Sequence, residues 1–261
     1  MLSRRIITAS VGMPILLMLI YLGGWPLTIA TAIFEAAMVY ESEKMFVAKG
    51  MPFFARMSVF WVWALLACQA FHLPLMWGLM AGLTVIVVGA VVLGREASSF
   101  AGALTTAWTS LYIGLLFSFL VAMRAMPFGA VRVFVFFIII WATDSVAYFA
   151  GRRFGRHKLM VHISPQKTWE GTLSGVTAAV VIGMAVSSLV HWQWYQGALF
   201  ALAVATAGVV GDLLESQFKR YTGVKDSGGV LPGHGGVLDR FDSTLLALPI
   251  AYYLLKGLGI G

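Results

Sequence analysis

Charge and cysteine are both scarce in this chain. Only 11% of its 261 residues are charged, where a soluble domain carries roughly a quarter. The single cysteine, Cys68, excludes an internal disulfide framework and a multi-cysteine zinc site, and inside its apolar run it reads as packed or lipid-facing bulk. With 60% hydrophobic residues and a mean hydropathy of +0.87, the shortage of charge also excludes a water-soluble globular domain. Internal repeats and low-complexity linkers are absent. What remains is an all-α, polytopic integral membrane protein, read as one membrane domain over 1–261. Within it, 1–125 forms a helical scaffold, and 126–261 carries two charge-rich loops at 151–170 and 215–241.

The apolar runs predict nine spans, at 6–22, 27–45, 57–71, 74–93, 103–123, 130–150, 171–190, 196–214 and 242–257. Several fall short of the ~20 residues that cross a ~30 Å hydrocarbon core, so their ends extend or the helices pack obliquely. The first run follows Arg4 and Arg5 but lacks a small-residue cleavage site, which favours a retained helix over a signal peptide. With the N-terminus cytoplasmic and the C-terminus external, only Arg124, Arg132 and Lys256 of the eighteen basic residues fall outside. That bias accounts for most of the net charge of +7, and nucleic-acid binding is not needed to explain it. Tryptophan-containing turns at 23–26 and 191–194 suit the outer interface, as do His72 and His191. Glu35 and Glu41 stand in or beside the second span, where an acid is expected to be functional or paired.

Aspartate is the scarcest of the charged residues, with five in the chain, and four of them (Asp212, Asp226, Asp239 and Asp242) lie between Gly211 and Ser243. The same stretch holds Glu215, Lys219, Arg220, Lys225, His234 and Arg240. If the eighth helix continues beyond the membrane face, Asp212, Glu215, Ser216 and Lys219 share one stripe at i, i+3, i+4 and i+7. A solvated helix end explains Lys219 and Arg220 well. It explains Asp212 poorly, because an aspartate at the hydrocarbon boundary costs up to ~3 kcal/mol unless paired or metal-bound. Six glycines follow in fourteen residues, including Gly235 and Gly236. Glycine on its own is as well explained by a flexible connector, but beside Lys225, His234 and Arg240 such backbone suits phosphate. Asp242-Ser243 is a reasonable helix N-cap, a reading that leaves Asp239 unexplained.

Two carboxylates on separate helix ends, joined by a cationic glycine loop, suit Mg²⁺ and a polyphosphate, since Mg²⁺ takes one or two carboxylates and completes its octahedron with phosphates and water. Asp212 and Asp239 are the expected metal ligands, with Asp242 and Glu215 as second choices and a second cation left open. Lys219, Arg220, Lys225, His234, Gly235, Gly236 and Arg240 are the expected phosphate contacts. Upstream, Asp144 ends the sixth span on one helix face with Tyr148, followed by a basic segment containing Arg152 and by Ser164 and Lys167. Basic groups at headgroup level can hold a lipid phosphate.

The stretch from Ser216-Gln217-Phe218-Lys219-Arg220 through Lys225-Asp226-Ser227-Gly228 to Leu231-Pro232-Gly233-His234-Gly235-Gly236-Val237-Leu238-Asp239-Arg240-Phe241-Asp242 resembles the family pattern of phosphatidate cytidylyltransferases, or CDP-diacylglycerol synthases. The segments around Trp141/Asp144 and Ser164–Gly171 resemble it too, whereas the first 130 residues do so only as an apolar region. The resemblance implies CTP and phosphatidate as substrates, CDP-diacylglycerol and pyrophosphate as products, and Mg²⁺ as cofactor. Asp212, Asp239, Lys225 and Asp226 are then the expected catalytic residues, and Ser164, Lys167, Asp144 and Arg152 the contacts to the lipid phosphate. A bacterial inner membrane with a cytoplasmic active site is expected, and a homodimer is left open. A CTP-dependent lipid or polyprenol kinase and an ion-coupled transporter are the rival readings.

Overall fold

The structure, a computed structural model, describes residues 2–93, 98–229 and 235–259. Helices dominate it: α1 (Leu2–Leu22), α2 (Gly24–Ala48), α3 (Ala55–Ala70), α4 (Leu75–Leu93), α5 (Ser98–Thr109), a π-helical turn (Ser110–Leu115), α6 (Leu116–Arg124), α7 (Gly129–Phe154), α8 (Trp169–Val186), α9 (Trp194–Thr222) and α10 (Leu238–Gly257). Each predicted span falls on helix, the fifth on α5, the π turn and α6 together and the seventh on α8 with the 3-10 turn Ser187–Val190. Five are long and apolar enough to cross a membrane: Leu75–Val92, Ser99–Arg124, Gly129–Phe154, Trp169–Val190 and Trp194–Thr222. Gly12–Leu22 and Ala55–Ala70 are shorter apolar helices.

Two local expectations are corrected. The loop 151–170 is not irregular, because α7 continues to Phe154 and a hairpin follows, so the chain is mostly rather than wholly helical. Strand β1 (Lys158–Met160) pairs antiparallel with β2 (Ser164–Thr168), with Lys158 opposite Thr168 and Met160 opposite Ser164. Such short strands, largely exposed on both faces, leave no apolar alternation to read. Asp242 is not a helix N-cap: α10 begins four residues earlier, at Leu238. In the other polar loop, α9 runs on to Thr222, so the stripe from Asp212 to Lys219 is helical.

The chain forms two compact units, Met1–Ala122 with Lys219–Phe241, and Met123–Phe218 with Asp242–Gly261. In the first, Trp61, Leu65 and Ile86 form a buried cluster. Gly82 makes room for it, since a Cβ there would come within 1.8 Å of the Trp61 ring. Where apolar packing gives no orientation, hydroxyls do: Ser58 and Ser110 Oγ atoms meet at 2.9 Å between α3 and the π turn. Phe241 closes the unit's polar loop against Phe34 and Phe117, at ring separations of 5.4 and 4.9 Å.

The second unit is organised by a stripe of small residues. The buried positions of α8 are Gly171, Gly175, Ala179 and Gly183, one every four residues. This is the spacing that lets helix backbones approach in an apolar solvent. A Cβ on Gly171 would lie 2.6 Å from the Ala147 carbonyl oxygen, and one on Gly175 2.5 Å from that of Thr143, so α7 lies directly against α8. Gly183 meets Gly197 of α9 in the same way, at 2.4 Å from its carbonyl oxygen. Gly175→Val is therefore expected to lower the thermal midpoint of the detergent-solubilised protein by several degrees, through overpacking of ~1–3 kcal/mol. Val181→Ala on the exposed side of α8 should leave that midpoint within about a degree.

Candidate active site

In the second unit, α7, the hairpin, α8 and α9 enclose a cavity of about 740 Å³. Asp144, Tyr148 and Arg152 enter it from successive turns of α7, Lys158 and Ser164 from the strands, and Asp212 from α9. The hairpin can lie on the end of α7 because Gly151 and Gly155 have no side chain. A Cβ at either would come within 3.0 Å of Thr168 Oγ1. Thr168 then caps α8, its hydroxyl accepting the N–H of Gly171 at 3.2 Å. At the far side, Glu170 accepts the backbone N–H groups of Arg156 and His157 at 3.1 and 3.2 Å and meets His157 Nδ1 at 2.6 Å. Held at both ends, the hairpin directs Lys167 onto Asp212 as an ion pair.

Asp212 also accepts the Ser216 hydroxyl at 3.3 Å, one turn along α9. Asp242 lies within electrostatic range of Asp212, Glu215 and Asp144, and Ser243 donates to Asp144. Glu215 is fully buried. Three carboxylates within range of Asp242, with Lys167 as the ammonium beside Asp212 and Asp144, make the site electron-rich. Among the described residues no three His, Cys, Asp or Glu side chains converge into a ready-made metal cage. The four residues expected at the lipid phosphate, Asp144, Arg152, Ser164 and Lys167, all line this one cavity.

The first unit holds the glycine loop, and there Asp239 is saturated. Asp239 Oδ1 accepts Lys219 Nζ at 2.7 Å and the Ser227 N–H at 3.3 Å, while Oδ2 accepts the N–H groups of Ser227 and Gly236 at 3.1 and 2.9 Å. Burial pushes the Asp239 carboxyl upward, but the hydrogen bonds from Lys219 and Gly236 outweigh it and hold the group below the ordinary aspartate range. Gly235 adopts φ +81°, and a Cβ there would stand 2.7 Å from Asp239 Oδ2, so this position requires glycine. The Gly236 N–H and the Lys219 ammonium, both expected at a phosphate, are engaged by Asp239 here. Arg220, Lys225, Asp226 and Arg240 are exposed, and His234 lies outside the described residues.

Residues 3–258 match the sequence profile of the cytidylyltransferase family. The chain belongs to that family. It is 32% identical over 263 residues to the phosphatidate cytidylyltransferase of Bacillus subtilis (strain 168), covering 97% of each chain. It is 36% identical over 262 residues to that of Brucella abortus biovar 1 (strain 9-941), covering 96% of this chain and 92% of the relative. A Staphylococcus epidermidis phosphatidate cytidylyltransferase is 39% identical over 180 residues, or 68% of each chain. The match takes in the first 130 residues, where the motif resemblance is silent.

In this cytidylyltransferase-family protein, sequence reasoning missed residues that act through packing or at long range. Lys158, which sequence alone assigns to the basic segment that orients the chain in the membrane, reaches the cavity from a strand with no periodic signal. Glu41 is paired, as an acid in an apolar helix is expected to be, but its partners lie in the distant glycine loop. Glu35, by contrast, is fully buried with neither oxygen hydrogen-bonded among the described residues.

The depressed Asp239 pKa has a definite sign. Its contribution to loop order is fully present above the unfolded value of ~3.9 and is lost as pH falls through the lower folded value. Hydrogen-exchange protection factors at the Ser227 and Gly236 amides should therefore hold from neutral pH to about 4 and collapse below it. Asp239→Asn should show weaker protection of these amides already at neutral pH.

Proposed function

We propose that the protein transfers the cytidylyl group of CTP to phosphatidate, giving CDP-diacylglycerol and pyrophosphate. The observation that carries this reading is the family match over nearly the whole chain, with relatives of that name covered almost end to end. The site's chemistry agrees with it. A phosphatidate phosphate is already an anion at neutral pH, so the chain needs no strong general base. A lipid-phosphate oxygen forms a bond to the α-phosphorus of CTP, the α–β bridging P–O bond breaks, and pyrophosphate departs with the electron pair. What the reaction demands is positioning and charge neutralisation between two polyanions.

The cavity of the second unit supplies one half of that demand. Lys167 and Arg152, with the Ser164 hydroxyl, hold and orient the lipid phosphate, while Asp144 lies within electrostatic range of Lys167 and steadies that ammonium. No three-ligand cage is present among the described residues, but Mg²⁺ needs only one or two protein carboxylates when phosphates and water complete its shell, and Asp212 offers one at the cavity wall. When bound, the ion shields the phosphates from one another and polarises the α-phosphorus. Asp212 would be its first ligand, with Asp242 and Glu215 in support. Asp239, the other expected ligand, would hold a metal through oxygens that already accept Lys219, Ser227 and Gly236. Lys219, Lys225, His234 and Arg240 clamp the triphosphate in the glycine loop. In this reading the chain crosses a bacterial inner membrane nine times from a cytoplasmic N-terminus, and the excess of basic residues in the inner segments supports chemistry on the nucleotide side.

Purified protein given phosphatidate, Mg²⁺ and CTP labelled at either the α- or the γ-phosphorus tests the reading. Label from the α-position should enter the lipid; label entering from the γ-position identifies a kinase and overturns it. Asp212→Ala should lower kcat by about a thousandfold, the several kcal/mol that a metal site contributes, while the protein still inserts and purifies. Lys167→Met should raise the KM for phosphatidate about tenfold and that for CTP much less, as expected for one lost charge-assisted contact.

A further inference from the structure

A buried acid outside the family motif holds the glycine loop from behind. Glu41 lies on α2 and is fully enclosed. Its Oε1 accepts the Val237 N–H at 2.8 Å, and its Oε2 accepts the Leu238 N–H at 2.9 Å and the Ser227 hydroxyl at 3.4 Å. Val237 and Leu238 stand at the start of α10, where backbone N–H groups have no partner within their own helix. Glu41 thus caps α10 from another helix, with its charge facing the positive end of the helix dipole. The fit is close: a Cβ on Gly236 would stand 2.7 Å from Oε2, and one on Gly228 would stand 2.9 Å from Cγ. Ser227 is gripped from both sides, its hydroxyl by Glu41 and its N–H by Asp239.

We propose that Glu41 is the positioning residue of the nucleotide-binding loop, fixing Ser227 and the start of α10 so that Asp239, Lys219 and the loop backbone are set before CTP arrives. Glu41 touches no substrate in this role. Its partners Val237 and Leu238 are themselves buried, so their N–H groups serve the loop's shape and not the ligand. Neither oxygen can be replaced by a donor. A glutamine at 41 would turn an amide NH₂ toward backbone N–H groups and leave one of them unpaired. The proposal rests on the reading that the loop from Lys219 to Phe241 binds the CTP triphosphate.

Initial rates of Glu41→Gln, with CTP and phosphatidate varied separately, test it together with equilibrium binding of a non-hydrolysable CTP analogue. The KM for CTP and the analogue Kd should rise about tenfold and the thermal midpoint fall by a few degrees, while the KM for phosphatidate stays near wild type. Ser227→Ala, which removes only the hydroxyl contact, should shift the same two quantities by about threefold and serves if the Glu41 variant fails to fold. A wild-type analogue Kd in a folded Glu41→Gln protein, or in Ser227→Ala alone if that is the variant recovered, overturns the proposal. A loss shared equally by both substrates overturns it too. A wild-type protein that does not turn over CTP at all strikes instead at the function on which the proposal rests.

Discussion

Burying a carboxylate in so apolar a chain is costly unless donors meet its oxygens, and, Glu35 apart, that constraint shapes the polar parts of both units. Asp239 is met by an ammonium and two backbone N–H groups, Glu41 by two backbone N–H groups and a hydroxyl, and Asp212 by Lys167 and Ser216. Each set of donors brings a particular piece of backbone with it. The glycine loop takes its described shape because two acids divide its N–H groups between them. The hairpin lies where it does in part because Lys167 must reach Asp212. The same groups that make the acids tolerable are therefore the ones that build the pockets.

The apolar parts obey a complementary rule. Without a hydrophobic drive between helices in lipid, contact depends on how closely backbones approach, and glycine sets that distance. The stripe of Gly171, Gly175, Ala179 and Gly183 brings α8 against α7 and α9, and Gly151 and Gly155 extend the same close fit to the hairpin. Close packing at this end of α7 lets Asp144, Arg152, Ser164 and Lys167 line one cavity although they are spread over twenty-four positions of sequence. A single added methyl on this surface would push the hairpin outward and separate the cations from the acid they face.

Much of this was legible in the chain itself. Long apolar runs with little charge dictate membrane helices, because neither bulk water nor a soluble core accommodates them. The concentration of aspartates, cations and glycines between Gly211 and Ser243 marked the polar segment, and helical spacing correctly put Asp212, Glu215, Ser216 and Lys219 on one continuous α9. The motif within that segment named the family before any geometry was in hand. Local chemistry of this kind depends on neighbours within a turn or a loop, and sequence records those neighbours directly.

Tertiary structure decided the pairings. Sequence could say that Glu41 needed partners, but not that they were Ser227, Val237 and Leu238, some 190 residues away. It could nominate Asp212 and Asp239 alike, but not show that one faces an open cavity while the other is wrapped by its own loop. Nor could it see a hairpin of three- and five-residue strands, since no periodic burial writes them into the residue pattern. Apolar periodicity fixes what must leave water. Which donor meets which acid depends on where the chain returns, and that is settled only when the helices pack.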